Sequence, residues 1–108
     1  MTSLSLDDFT SRAGDAAALL RALANEQRLL ILCHLIGAEE LSVTRLAEEI
    51  GLSQSALSQH LARLRAQGIV AFRRDAQTLF YRVEDDKAGR VLTLLRDIFC
   101  PEPLETSS

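Results

Sequence analysis

The sequence has no run of about 18 or more uninterrupted apolar residues, the length that a membrane-spanning helix requires. Its first eight residues include two aspartates where an export signal carries basic residues, so nothing in them indicates export. We therefore expect a cytoplasmic protein without a membrane partner, whose two cysteines are reduced. Internal repeats and low-complexity segments are also absent from the sequence.

Catalytic constellations are missing as well. The sequence has no Ser-His-acid arrangement and no paired carboxylates with the signs of a pocket. Its one neighbouring Cys-His pair, Cys33 and His34, would point about 100° apart on a helix. We therefore expect neither an enzyme nor a bound cofactor.

What is present is the composition of a small globular domain. The chain has 108 residues, of which 47% are apolar and 25% are charged, and this balance is typical of a folded rather than a disordered protein. We expect the domain to span residues 1–100. Pro101 prevents a helix from continuing, so residues 101–108 are expected to form a polar C-terminal tail.

The formal net charge of −3 argues against a nonspecific nucleic-acid coat, but the charges are unevenly distributed. Residues 1–41 carry three arginines against six acids, and residues 84–108 carry three basic residues against six acids. Residues 42–83 reverse the sign, with six arginines against three acids. An acidic body with one basic segment fits a protein that contacts DNA with a single surface.

The centre of the basic segment, residues 52–65, combines two different helix faces. Leu57, Leu61 and Leu64 recur at helical spacing and predict a stripe that packs on a core. The opposite face has short hydroxyls, amides and an arginine but no acid, and such side chains can reach base edges and phosphates. Its residues are Gln54, Ser55, Ser58, Gln59 and Arg63. The pattern predicts a DNA-recognition helix.

The segment before it predicts the rest of a helix-turn-helix. Ser42 is a good cap for a short helix over residues 43–50, and Gly51 permits a tight turn. Ser53 can then cap the longer helix. A short helix, a turn that contains glycine and a second helix are the elements of this motif.

The segment after it predicts a two-stranded hairpin over residues 69–83, in which β-branched and aromatic residues flank a polar centre. We expect Arg73 and Arg74 at the hairpin tip, where they would suit the phosphate backbone or the minor groove. A hairpin after a recognition helix is the winged arrangement. The expected fold class is therefore mainly α with a two-stranded β wing, a winged helix-turn-helix.

Three further helices are predicted. The first covers about residues 4–17 and either breaks near Gly14 or runs on towards residue 24. The second covers residues 25–36, with Asn25 as its cap and Gly37 at its end. The last begins at Asp86 as its cap and ends at Phe99. The last helix is too apolar for the surface of a monomer, and together with the first helix it is the candidate dimer interface.

Residues 23–83 resemble the ArsR-type winged helix-turn-helix repressors. Leu-Ala-Asn-Glu-Gln-Arg-Leu-Leu-Ile-Leu at residues 23–32 resembles the opening helix of that family. Residues 52–64 resemble its recognition helix, and Gly68-Ile-Val resembles the entry to its wing. The resemblance implies a homodimer that binds double-stranded DNA at an inverted-repeat operator, with five helices, a wing before the last of them, and repression that a small inducer releases.

Within this resemblance, the family's usual metal ligands are not found. Ser42 and Thr44 stand where many members have the two thiolates of a Cys-Val-Cys motif, and alcohols are poor ligands for soft cations. Other members bind zinc through histidine and carboxylates on the last helix. Residues 85–99 contain no histidine, so we expect no metal site of either type.

The two cysteines, Cys33 and Cys100, match a subgroup of the family that senses persulfides, polysulfides or oxidants with a cysteine pair on the second and last helices. The resemblance implies that these residues form the redox switch. Two readings stay open from the residues: both cysteines are core hydrophobes, or they form a metalloid or soft-metal site with His34. A protein-interaction module without DNA binding is a further alternative.

The site residues expected from the sequence fall into two groups. The base-edge candidates are Gln54, Ser55, Ser58 and Gln59. The candidates for phosphate or minor-groove contact are Arg63, Arg73 and Arg74, and His60 is expected to contact phosphate or to pack against the wing.

Overall fold

The buried core joins all five helices to the sheet. The structure is a computed structural model that describes residues 6–100, with side chains from residue 8 onward. Within that part, the largest fully buried side chains are Ile31, Leu32, Leu35, Leu46, Leu57, Leu61, Leu64 and Leu92. The elements in chain order are α1 (Leu6–Leu23), α2 (Glu26–Ala38), β1 (Leu41–Ser42), α3 (Val43–Ile50), α4 (Gln54–Ala66), β2 (Val70–Asp75), β3 (Thr78–Val83) and α5 (Asp86–Phe99).

Helix α2 lies at the centre of this core, as its apolar sequence predicts. Ile31, Leu32 and Leu35 have no exposed surface, and α2 packs against α1, α3, α5 and β3. One stripe of the helix is not covered within the described residues, because Leu30 is 43% exposed and Cys33 is half-buried. This stripe becomes part of the cysteine cavity described below.

Three of the four predicted helix caps are confirmed. The side chains of Asn25, Ser42 and Ser53 each accept a hydrogen bond from the backbone N–H three residues later. The prediction for α5 was wrong by one residue: Asp85 is the cap and accepts from the Ala88 N–H at 2.9 Å, and Asp86 is the first helical residue. Asp85 is held extended because its own N–H, like that of residue 84, donates to the Ile69 carbonyl.

Two glycine predictions have different outcomes. Helix α1 runs through Gly14 to Leu23, which confirms the longer of the two alternatives for the described part of that helix. Gly37 does not end α2, as was expected, because the helix continues to Ala38. The residue that ends it is Glu39, which has a positive φ of 72°.

The sheet has three antiparallel strands in the described residues, where the sequence predicted two. Strand β1 pairs with β3, with Leu41 opposite Tyr81, so the strand order is β1-β3-β2. A strand of two residues is too short to show any alternation in sequence, and only pairing reveals it. Because α3 follows β1 directly, this pairing connects the start of the helix-turn-helix to the wing.

The hairpin prediction is confirmed, but its tip was placed wrongly. The turn is formed by residues 76–77, and Ala76 has φ of 57°. Arg73 and Arg74 lie within β2, opposite Phe80 and Leu79 of β3. Since successive side chains of a strand point to opposite faces, the two arginines cannot act as one basic tip.

No helix in the described part of the chain is long and apolar enough to cross a membrane. The predicted polar tail at residues 101–108 lies outside the described residues, as do the first residues of the predicted opening helix.

Candidate DNA interface and cysteine cavity

Helix α4 presents the predicted recognition face to solvent. Leu57, Leu61 and Leu64 are buried against the core and fix the helix on one side. The other side is exposed and carries Gln54, Ser55, Ser58, Gln59 and Arg63. The helix orientation therefore leaves all five polar side chains available to a ligand, with no acid among them.

One of these side chains is braced by the preceding helix. The Gln54 amide nitrogen donates to the Thr44 hydroxyl at 3.5 Å, which joins the start of α4 to α3.

Arg65, which was not predicted as a site residue, places its guanidinium 4.5 Å from the centre of the Phe72 ring in β2. This contact is a cation–π interaction between the recognition helix and the wing. Nothing in the local spacing indicates it, since it depends on how the hairpin folds back.

His60 occupies a different environment from the five exposed residues. It is half-buried, and its Nε2 lies 3.2 Å from the Gln27 Oε1 on α2, to which it donates. The sequence predicts a contact with phosphate or the wing for this residue. The structure instead directs this ring nitrogen towards α2, the helix that also carries Cys33.

The two wing arginines have different partners. The Arg73 Nε and Nη2 each donate to one oxygen of the Glu40 carboxylate at 2.9 Å, and the Arg73 guanidinium lies 4.5 Å from the Phe80 ring centre. The hydrogen bond from Arg73 lowers the pKa of Glu40 below its ordinary value. Arg74 is exposed, and within the described residues no carboxylate pairs with it. Arg74 is therefore the freer of the two cations.

The two cysteines come together at one cavity of about 750 Å³ between α2 and α5. Cys33 is half-buried on α2, and Cys100 is exposed directly after α5, where its N–H donates to the Arg96 carbonyl at 2.7 Å. The apolar part of the wall is formed by Leu29, Leu30, Leu95 and Phe99. Both cysteines are therefore free and line the same cavity.

The electrostatics of the cavity affect Cys33 in particular. Burial raises the pKa of the Cys33 thiol above its ordinary value of 9.0, and the Cys100 thiolate raises it further. The Arg96 guanidinium acts in the opposite direction and lowers it. Arg96 and both cysteines line the same cavity.

His34, the histidine beside this cavity, is held by partners on α2 and α3. His34 donates from Nδ1 to the Leu30 carbonyl at 2.8 Å, and its Nε2 lies 3.9 Å from the Glu49 carboxylate. Among residues 8–100 no group of three or more histidine, cysteine or acidic side chains is arranged to hold a metal ion. The His34 ring is thus tied to its own helix and to α3.

Comparison with known proteins gives consistent relatives. Residues 25–71 match the family described as "Bacterial regulatory protein, arsR family". The nodulation protein NolR of Rhizobium meliloti is 54% identical over 84 residues, which cover 78% of this chain and 68% of NolR. The transcriptional activator HlyU of Vibrio cholerae is 44% identical over 97 residues, covering 90% of this chain and 89% of HlyU.

A solved structure gives the same assignment. The transcriptional repressor BigR from Xylella fastidiosa matches with a TM-score of 0.81 and 39% identity, over 92% of this chain and 100% of that chain. The described fold is mainly helical with a three-stranded antiparallel sheet, as in a winged helix-turn-helix. The chain belongs to the ArsR family and is a transcriptional regulator with a DNA-binding fold.

Proposed function

We propose that the chain is a homodimeric repressor that binds an inverted-repeat operator and leaves it when Cys33 and Cys100 are joined through sulfur. The observation that carries this proposal is the cavity between α2 and α5, which both thiols line. The DNA-binding half and the sensing half rest on different residues, so they are argued separately.

The DNA-binding half rests on the exposed face of α4. An α-helix fits the major groove of DNA, where glutamine can bond to adenine and serine accepts several bases. We assign base contacts to Gln54, Ser55, Ser58 and Gln59, whose side chains are exposed. Phosphate or minor-groove contacts are assigned to Arg63 and Arg74, with Arg73 and His60 as weaker candidates because Glu40 and Gln27 already bind them.

The homodimer is supported by apolar side chains that the described residues leave uncovered. Phe9 on α1 is 62% exposed, and Leu94 and Ile98 on α5 are each 58% exposed. Burying such side chains against a second copy would remove apolar surface from water, which stabilises a dimer by about 25 cal/mol for each Å² buried. A twofold dimer would then carry two recognition helices to half-sites about 34–36 Å apart.

The sensing half is a thiol exchange in two steps. A thiolate of the pair attacks the outer sulfur of a persulfide RSSH, the S–S bond breaks, RSH leaves, and the cysteine becomes a persulfide. The second thiolate attacks the cysteine-bound sulfur and expels hydrosulfide, which closes a Cys33–Cys100 disulfide. The sum is one RSSH and two thiols giving one disulfide, RSH and H₂S. A second persulfide would leave a longer polysulfide bridge.

The bridge would act on DNA binding through helix positions. Cys33 lies on α2, and the same helix contacts α4 through the hydrogen bond between Gln27 and His60. Cys100 follows α5, the proposed dimer helix. Joining the two sulfur atoms would therefore change how α5 sits against α2, and with it the separation of the two recognition helices.

The experiment combines intact mass with a gel shift on a DNA fragment from the protein's own promoter region. Treatment with a persulfide donor should link Cys33 to Cys100 and release DNA in the wild type. Cys33→Ser and Cys100→Ser should stay bound under the same treatment. Parallel samples with peroxide, zinc, cadmium and arsenite separate oxidants and metals from persulfides. DNA release with two unmodified thiols would rule out the dithiol switch, and no salt-dependent shift at all would favour a protein-interaction module.

A further inference from the structure

The guanidinium of Arg96 lies against the last turn of α2 at the one position where the helix has no side chain. A Cβ atom placed on Gly37 would come within 3.3 Å of the Arg96 Nη1, which is closer than side-chain carbons normally approach. The carbonyl end of a helix also attracts a cation. Gly37, which was expected to end α2, instead makes room for Arg96 beside the cavity.

Apart from His34 and two acids, the residues that line the cavity with Arg96 and the cysteines are apolar. Leu30 and Phe99 line it and are 43% and 76% exposed, so a molecule entering from solvent meets them first. Of the two acids in the wall, Glu49 is already bound by Arg45 at 2.8 Å. Glu26 lies seven residues before Cys33 on α2, about 10 Å along the helix axis. Among the described residues that line the cavity, Arg96 is the one lysine or arginine.

We propose that this cavity binds apolar organic persulfides or disulfides that carry an acidic group, and that Arg96 binds that group. The proposal rests on the dithiol function and names the class of compound that reaches it. The aryl or alkyl part would lie on Leu30 and Phe99, and the acid would lie at the Arg96 guanidinium. The reactive S–S bond would then be held between Cys33 and Cys100.

Two aromatic disulfides test the charge requirement. 5,5′-Dithiobis(2-nitrobenzoate) carries two carboxylates, and 4,4′-dithiodipyridine is neutral. With either reagent, one thiolate displaces an arylthiolate and the second cysteine displaces the other. The products are one Cys33–Cys100 disulfide and two arylthiolates per chain, whose release is followed by absorbance. The ratio of the two rates cancels changes in thiol ionisation, because these affect both reagents alike.

Arg96→Gln should lower the ratio of the carboxylated to the neutral rate by about threefold or more, the scale of a lost exposed ion pair. Arg96→Lys should keep most of the wild-type rate ratio, because the positive charge remains. Gly37→Ala should lower the ratio, because the added Cβ displaces the Arg96 guanidinium. Arg90→Gln removes the same charge from α5 outside this cavity and should leave the ratio unchanged. Phe99→Ala should slow both reagents and leave the ratio alone.

An unchanged ratio in Arg96→Gln would overturn the proposal, as would an equal fall in Arg90→Gln. A rate that drops with rising protein concentration for both reagents would instead show that a second copy covers the cavity, which also overturns it. The mass and gel-shift experiment on Cys33 and Cys100 does not depend on Arg96. The ligand proposal can therefore be wrong while the dithiol switch is right. Thermal melts of each variant establish that the fold is kept.

Discussion

Arg73 and Glu40 are joined by two hydrogen bonds of 2.9 Å each, although 33 residues separate them in the chain. The pair connects the wing to the loop before β1. It also neutralises Arg73, a cation that the sequence predicted as a DNA contact. Its neighbour Arg74 points to the other face of the strand. Arg73 therefore holds the wing against the loop before β1, and Arg74 is the candidate DNA contact.

The first prediction follows from this division. Arg74→Ala should weaken binding to all DNA sequences alike and reduce the slope of log affinity against log salt by about one, because one phosphate contact is lost. Arg73→Ala should change that slope less, since its charge is already matched by Glu40. Binding measured by anisotropy at several salt concentrations gives both slopes. Equal slope changes in the two variants would mean that DNA displaces Glu40.

The second prediction concerns sequence reading by α4. Gln59→Ala should cost about 1–3 kcal/mol on the preferred operator and little on unrelated DNA, because a base-edge hydrogen bond is specific. Gln67→Ala serves as the control, since Gln67 is an exposed glutamine just after the same helix. Competition binding with operator variants measures the preference. A uniform loss on all sequences would assign Gln59 to the backbone instead.

The third prediction is a pH dependence at the cavity. Burial raises the pKa of the Cys33 thiol, so the protonated form is favoured in the folded state. The contribution of Cys33 to the free energy of unfolding is fully present below the ordinary pKa of 9.0. It is lost as the pH rises through the higher pKa of the folded state. In Cys100→Ser, alkylation of Cys33 should therefore rise with pH along a curve displaced to higher pH than in urea-unfolded protein. Coinciding curves would contradict the burial argument.

The fourth prediction separates the two aspartates at the start of α5. Asp85→Ala removes the cap that bonds to Ala88, and it should lower the free energy of unfolding by about 0.5–2 kcal/mol. Asp86→Ala keeps the cap and loses a favourable charge in the first turn, about 0.3–1 kcal/mol, together with the exposed 4.0 Å ion pair to Arg90. Urea denaturation compares them. A larger loss for Asp86→Ala would return the cap to that residue.

The fifth prediction tests the dimer. Leu94→Glu places a charge in the exposed apolar stripe of α5 and should shift the protein to a monomer, because a charge buried at an interface is costly. Thr93→Glu is the matched control, because Thr93 is exposed and lies about 100° around the helix from Leu94. Light scattering after gel filtration gives the mass. A dimer that persists in Leu94→Glu would remove α5 from the interface.

The sequence alone determined the helix-turn-helix and most of its caps. The leucines of α4 recur at helical spacing, and Ser42 and Ser53 act on backbone groups three residues away. Such signals are local, since they depend on side chains within one or two turns. The exposed polar face of α4 followed for the same reason, because its orientation is set by the buried leucines.

Only the tertiary structure decided the features that depend on distant partners. Strand β1 exists because Leu41 meets Tyr81, Arg73 is bound because Glu40 lies across from it, and Arg96 reaches the cavity because Gly37 leaves space. Each pair lies 33 or more residues apart, so no periodicity within one element can encode it. Contacts of this kind form only when packing of the core brings the elements together, which is why the cavity's cation was absent from the sequence-based site.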